Sequence, residues 1–420
     1  QLGESVQPKS RPKRSARCTS IAPFGRTWSR FSYQTTMKRF FFWVIGAVIG
    51  VYVLSVVTDN DHVWTGLRQC YMRGYKTAQI DDMRFQSLRS IPASSTPRPW
   101  PLHSRYGQVV LPDEVVDSTH RWNTAALAVI LRDSLLLDWR SDRISGADTL
   151  RSNSFSVAKS LTAMAIGVAE KEGLLNVQDP VSRYLPRFKE DPASDLTIEH
   201  VLQMRSAIPY GESYKNPFGF MSKCTYGDNI LDRLQDYTVE GTAGMPWKYQ
   251  GGNTLLLQEV LLEVIDVPFG DWFADKVWGP IGATTEAKWA VDNAGHERNY
   301  ACFYTTAPEF ARLGQLLLDS GQVDGTAVLE RDFVQRMTTP IGRLKDGTDI
   351  QHYGYQLWMG THDGMAFKSM QGLHGQYVVI VPELELVAVR TGFYRPKGKL
   401  RAIDLDVYRT IDMAKAAAAL

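Results

Sequence analysis

Ser156 and Lys159 are the residues whose types and spacing most directly suggest chemistry. Three positions apart on a helix, they place a hydroxyl and an amine on one face, a single turn from each other. A serine hydroxyl becomes a nucleophile only when a base takes its proton. Lysine can be that base only where burial or neighbouring charge lowers its pKa. Residues 157–169 are apolar or small almost without interruption and end at Glu170-Lys171-Glu172-Gly173, so a buried helix starting near Ser156 is expected. At such a start the Ser156 N–H is a donor that can hold a developing oxyanion. Ser-x-x-Lys is a short pattern, and it recurs at Ser10-Arg11-Pro12-Lys13 in a basic stretch without helical periodicity. The weight therefore rests on what accompanies Ser156.

A Ser/Lys pair needs a second proton handler, because the leaving group must be protonated as its bond breaks. Tyr249, in Trp247-Lys248-Tyr249-Gln250-Gly251-Gly252-Asn253, stands in a glycine-rich turn ahead of an apolar helix, where a side chain can face a cleft. A tyrosine at such a place is more often simply packed in the core. The third element is Met370-Gln371-Gly372-Leu373-His374-Gly375-Gln376. Its two glycines allow close backbone approach, and an N–H there could complete an oxyanion hole. His374 is either a substrate contact or a structural histidine.

Several elements must position these residues. Residues 125–131 and 135–139, with Arg132-Asp133-Ser134 between them, are expected as a hairpin of buried strands rather than one helix. Thr197 caps a helical segment through Leu202. Residues 207–247 are rich in Gly, Tyr, Pro and Asn and lack periodicity, which in a compact domain suggests a lid or pocket wall. Residues 253–265 and 307–319 are expected as amphipathic helices, 377–381 and 386–391 as a second hairpin, and about 400–418 as a closing helix. The fold class is therefore α/β (α+β). One antiparallel sheet is built from both chain ends, flanked by helices, with a helical insertion between the hairpins.

The 420-residue chain is 44% hydrophobic and carries a net charge of +2. Residues 1–36 hold seven Lys/Arg against Glu4 alone, so the body is slightly acidic and has no basic excess to suit nucleic acid. Residues 40–57 carry no charge, follow Lys38-Arg39 and precede Asp59 and Asp61. A single-pass anchor in the cytoplasmic membrane is expected, with the body periplasmic or otherwise extracytoplasmic; a cleaved signal and a core helix are the alternatives. The expected division is a basic arm over 1–39, beginning natively at Met37 or earlier, an anchor over 40–57, an extended Pro/Ser-rich linker over 58–105 and a catalytic domain over 106–420. Four scattered cysteines and eight unclustered histidines call for neither a metal nor a cofactor.

Ser156-Val157-Ala158-Lys159, Tyr249 and a glycine motif before the last strand pair follow the motif order of the serine β-lactamase and penicillin-binding protein superfamily. The chain most resembles its class C β-lactamase-related serine hydrolases, which include esterases and 6-aminohexanoate-dimer hydrolase. Asp179-Pro180-Val181-Ser182-Arg183-Tyr184-Leu185-Pro186, Val201-Leu202-Gln203-Met204-Arg205-Ser206, Trp278-Gly279-Pro280-Ile281-Gly282, and Phe310-Ala311-Arg312-Leu313-Gly314 extend the resemblance over roughly 95–415.

The resemblance implies Ser156 as acylated nucleophile, Lys159 as base and Tyr249 as second proton handler. It also implies an oxyanion hole from the N–H groups of Ser156 and Leu373. Gly372, His374, Gly251 and Asn253 fall on the substrate side. Two departures stand out. The family's Tyr-x-Asn is Tyr249-Gln250-Gly251, with Asn253 two residues late, and its Lys-Thr-Gly is Met370-Gln371-Gly372. Without the motif lysine a carboxylate-bearing antibiotic loses a charge-assisted contact worth about 1.5–3 kcal/mol. A small ester or amide is therefore the expected substrate, ahead of β-lactamase or D-alanyl-D-alanine peptidase activity. A catalytically silent binding or sensor protein is the alternative from another class.

Overall fold

The computed structural model describes residues 28–147 and 149–419, with side chains from Met37 onward. The chain divides into two units, one through Asp59 and one from Asn60. The first is the helix Trp28–Val57, in which 37–57 is long and apolar enough to cross a membrane. Ser10 and Lys13 lie outside the described residues.

The second unit is organised by the strand Thr124–Leu131, whose residues are all buried. Its side chains alternate between two cores. Ala126, Ala128 and Ile130 join the larger one, which holds the Ser156 helix. Leu127, Val129 and Leu131 join a second, covered by Val407, Ile411 and Ala414 of the last helix. A strand covered on both faces reads as an unbroken apolar run, which is why period-2 alternation is invisible here. Arg132 and Asp133 both have positive φ, so a tight turn returns the chain as Ser134–Arg140.

The sheet has six antiparallel strands in the order Trp358–His362, Met365–Gly372, Gln376–Val381, Leu386–Gly392, Thr124–Leu131 and Ser134–Arg140. Both expected hairpins are present, and strands from the two chain ends meet where Leu386–Gly392 pairs with Thr124–Leu131. The first two strands escape a reading of the apolar pattern because Lys368, Ser369 and Gln371 interrupt it. Their turn signal, Asp363-Gly364 with both φ positive, stands plainly in the sequence. The helix Ala307–Leu318 lies so close to the sheet that a Cβ on Gly314 would stand 2.6 Å from Val387 and 2.8 Å from Val378. A second, four-stranded antiparallel sheet is assembled from Ser87–Ile91, Ala287–Val291, Phe303–Thr305 and Ser152–Asn153.

That second sheet corrects the expected linker. Residues 58–105 contain the helix His62–Gln69 and the strand Ser87–Ile91, and Ile80 and Ile91 are fully buried. The Pro-rich stretch 92–101 is without regular structure, and it dominated the compositional reading. The folded unit thus begins near residue 60, not 106.

Two helices also differ from expectation. Gly251–Leu262 starts two residues earlier than read and is buried on every side through Leu261 rather than amphipathic. Two of its polar residues are paired internally, Thr254 with Gln356 (2.9 Å) and Glu259 with Arg187, which lets them stand where a face pattern would need apolar side chains. The closing helix is Leu405–Ala418, because Arg401 and Ala402 take positive φ and turn 399–404 into a short hairpin.

Replacing Gly314 by valine would push branched carbons into Val378 and Val387 across a fully packed contact. The Gly314→Val protein is expected to be destabilised by about 1–3 kcal/mol, read as a lower Tm in a thermal melt. An unchanged Tm would contradict this account of the helix–sheet contact.

Candidate active site

The second sheet delivers the chain to Ser156. Ser152–Asn153 pairs with Phe303–Thr305, and Ser154 N donates to Phe303 O (2.7 Å). Phe155 then takes φ 45°, a left-handed conformation uncommon for an aromatic residue, with its N–H held by Asn153 Oδ1 at 2.9 Å. This bend turns the strand into the helix Val157–Lys171 and leaves Ser156 at its N-cap, partly exposed at the cleft.

One turn along, Lys159 is 1% exposed, and its Nζ lies 2.9 Å from Ser156 Oγ and 3.0 Å from Tyr300 O. No carboxylate pairs with it among the described residues. Burial lowers its pKa from 10.5 to about 8, partly offset by the charge of Glu212. A substantial neutral fraction therefore exists near neutral pH, and a neutral amine beside a hydroxyl can accept its proton.

Tyr249 sits in an aromatic wall, with ring centroids 5.4 Å from Trp358 and 6.1 Å from Tyr353. Lys159 Nζ lies 5.2 Å from its ring centroid, and the nearby Ser156 hydroxyl acts on the phenol to lower its pKa slightly. Burial, and secondarily the negative charge of Glu212, push the phenol well above its ordinary value. The two environments act in opposite directions, the lysine toward its base form and the tyrosine toward its acid form. Such divergence is how two titratable groups divide acid and base work.

Gly372 ends its strand where a Cβ would lie 2.3 Å from Ser154 O, so only glycine fits there without moving the chain that leads to Ser156. Leu373 follows and lines the cleft. Neither the Ser156 nor the Leu373 N–H is taken up by a turn, cap or loop hydrogen bond among the described residues. Both residues line the cleft.

The remaining sequence-chosen residues face elsewhere. His374 Nε2 lies 3.0 Å from Ala78 O, an acceptor only, so this nitrogen carries the proton and is used structurally. Gly251 N donates to Glu212 Oε2 at 2.6 Å inside the first turn of its helix. Asn253 is fully buried against Met204 Sδ at 3.4 Å. The helix start at Gly251 turns both positions inward, so the expected substrate contacts of His374, Gly251 and Asn253 are replaced by internal ones.

The stretch 207–247, read as a lid or pocket wall, lines the cleft through Tyr214 and Met221, while sequence reading missed the lining residues Thr77, Ala78, Tyr300 and Cys302. The space is small, about 50 Å³, and none of these lining side chains carries a charge. Lack of periodicity in 207–247 was the available signal; nothing in the sequence marked 77–78 or 300–302. Cys70, Cys224 and Cys302 are buried free thiols. Far from a cleft role, His362, Asp363 and Asp412 gather at the surface, but His362 bonds Asp412 (2.6 Å) and Asp363 bonds Lys415 (2.8 Å).

A family model described as Beta-lactamase matches residues 115–403. The chain is 25% identical over 283 residues to the 6-aminohexanoate-dimer hydrolase of Paenarthrobacter ureafaciens, covering 61% of this chain and 71% of that one. Its fold is shared with a provisionally named 6-aminohexanoate-dimer hydrolase from Bacillus anthracis, at TM-score 0.67 and 17% identity over 81% and 94% of the two chains. A family VIII carboxylesterase also shares it, at TM-score 0.52 and 15% identity over 76% and 98%.

If Lys159 sets the reactivity of Ser156, labelling of Ser156 by a fluorophosphonate should rise with pH through an apparent pKa near 8. The Glu212 charge raises that pKa, so Glu212→Gln, which keeps an acceptor for Gly251 N, should move the profile to lower pH. A profile that is flat between pH 6 and 10, or one that moves to higher pH in Glu212→Gln, would contradict this electrostatic account.

Proposed function

The chain belongs to the beta-lactamase family, and on that footing we propose that it is a serine hydrolase of small, uncharged esters or amides, working through an acyl-enzyme on Ser156. The family is hydrolytic; a relative of this chain is named 6-aminohexanoate-dimer hydrolase, and a protein of the same fold is named a carboxylesterase. The observation that carries the proposal is the buried Lys159 amine 2.9 Å from the Ser156 hydroxyl, with no carboxylate paired to it among the described residues.

In this mechanism neutral Lys159 takes the Ser156 proton as Oγ bonds to the substrate carbonyl carbon. The carbonyl oxygen becomes an oxyanion facing the N–H groups of Ser156 and Leu373, as electrostatic stabilisation of this kind requires. Collapse of the tetrahedral intermediate breaks the bond to the alcohol or amine. Tyr249, kept protonated by burial and close to Lys159, passes a proton to that leaving group and is restored from Lys159. Water then attacks the acyl-enzyme, giving its proton back through the same pair, and the carboxylic acid departs.

Substrate class follows from the cleft lining. A charged group entering a space lined by Phe155, Tyr214, Met221 and Tyr300 would lose hydration without gaining a partner. Position 370, where β-lactam-binding relatives are expected to carry lysine, is a fully buried methionine. Both features favour a neutral acyl group over a carboxylate-bearing antibiotic or peptide.

We further propose that 37–57 anchors the protein, with the hydrolase unit outside the cytoplasm. The support is the step from Lys38-Arg39 to Asp59 and Asp61 across an uncharged span.

A fluorophosphonate should label the folded protein at Ser156, located by mass spectrometry, and Ser156→Ala should abolish the label. Lys159→Ala should slow labelling by about 10²–10⁴-fold, the range for loss of a general base. Labelling at another residue, or none in folded protein, would sink the mechanism and leave a binding protein as the better reading. For substrate class, p-nitrophenyl esters with a neutral acyl chain should exceed isosteric carboxylate-bearing esters in kcat/KM by at least about tenfold. The reverse preference would refute the neutral-acyl assignment.

A further inference from the structure

Residues 77–82 lie well before Ser156 in the chain, yet they reach both peptides that face the cleft as oxyanion donors. On one side Ile80 O accepts Asn153 N at 2.9 Å, and Asp82 Oδ1 accepts Asn153 Nδ2 at 3.1 Å. Held at its amide nitrogen, Asn153 presents Oδ1 to Phe155 N (2.9 Å) and Cys302 N (3.2 Å). That grip fixes the left-handed Phe155 and therefore the direction of the Ser156 N–H. Tyr304 O–H donates to the same Asp82 oxygen at 2.8 Å, and Asp82 is 1% exposed. On the other side, His374 Nε2–H donates to Ala78 O at 3.0 Å, with Thr77 Oγ1 at 3.2 Å. His374 has φ 63° and immediately follows Leu373. Its ring also meets Phe155 edge-on at 5.5 Å, so the two sides touch.

The two donor peptides come from different sheets, and the hole works only if their N–H groups converge on one point. An oxyanion donor must lie within about 0.2 Å of its best distance, and a misplacement near 1 Å costs on the order of 10²-fold in rate. We propose that segment 77–82 is a clamp that sets the separation of the two oxyanion-hole peptides, with Asp82 and His374 as positioning residues for the Ser156 and Leu373 N–H groups. The inference rests on the acyl-enzyme reading above. It gives the stretch just after the N-terminal helix a part in catalysis without contact to the reacting atoms. It also means that a shortened protein beginning at Pro92 would lack half of what aligns its active site.

The test uses the full chain and a neutral p-nitrophenyl ester, with kcat normalised to the active-site burst and Tm measured alongside. Asp82→Ala and His374→Ala should each lower kcat by ten- to a hundredfold, with KM within about twofold. Affinity for an alkylboronate transition-state analogue should fall in parallel. Asp82→Asn keeps the acceptor and His374→Gln keeps the donor, so each should recover most of the loss. Should Asp82→Ala fail to fold, the His374 pair alone decides. The proposal is overturned if the alanine variants turn over within twofold of wild type per active site, or if the conservative variants are no better than alanine. A wild-type protein with no Ser156-dependent burst would instead overturn the hydrolase reading itself.

Discussion

An amine buried without a counter-charge is the constraint on which the rest of this structure depends. Bringing Lys159 from its ordinary pKa to about 8 corresponds to roughly 3 kcal/mol against its charged form. A carboxylate close enough to pair with it would remove that shift and with it the base. The fold meets the demand by burying the Ser156 helix from Val157 through Ala169, Lys159 included. The nearest modulating acid, Glu212, is occupied by Gly251 N–H and the Tyr214 hydroxyl rather than by the lysine. Its charge still reaches Lys159 and Tyr249, raising both, so one residue off the cleft wall trims the base and reinforces the acid.

Enclosure of that kind explains which parts of the site were legible in sequence. Ser156, Lys159 and the buried helix stand out because an apolar run containing one lysine has few ordinary explanations. Tyr249 was legible only through its glycine-rich surroundings, and Gly372 through its place before a strand pair. His374, Gly251 and Asn253 carried the right chemistry for substrate contact but point into the fold. Residue type and spacing cannot distinguish a hydrogen bond to substrate from one to Ala78 O or Met204 Sδ. The paired strands of the last hairpin and the 124–140 hairpin followed from apolar run length and turn chemistry. Strand Met365–Gly372 did not, because Lys368, Ser369 and Gln371 break its pattern.

Residues 58–105 show the sharper limit. Prolines and serines at 92–101 describe an extended connector correctly, but only for those ten or so residues. The strand Ser87–Ile91 finds its partner about 200 positions later at Ala287–Val291. Ile80 O and Asp82 find theirs at Asn153. Composition reports whether a segment can fold alone, whereas these residues are ordered by contacts that other parts of the chain supply. A buried aspartate on a polar, unpatterned stretch was the one available hint, and it is visible only once its partners are known.

The same logic bears on how a shared fold comes to take different substrates. The Ser156–Lys159–Tyr249 arrangement depends on burial and on the two sheets meeting at the helix start, neither of which reaches far into the cleft. Its walls come instead from 207–247, from the 300–302 turn and from 77–78, segments with no regular period to preserve. They can change composition without disturbing the buried amine. In this chain the residues they turn toward the cleft are aromatic, sulfur-containing, hydroxyl-bearing or small and apolar, and none is charged. Charge introduced there would also lie close to Lys159 in a poorly solvated space, where its field is weakly screened. A cation to grip a carboxylate substrate would favour the neutral amine, whereas an anion to grip an ammonium would favour the charged one. Substrate recognition by charge and tuning of the base are therefore coupled, and an uncharged cleft leaves burial of Lys159 as the main control of its proton.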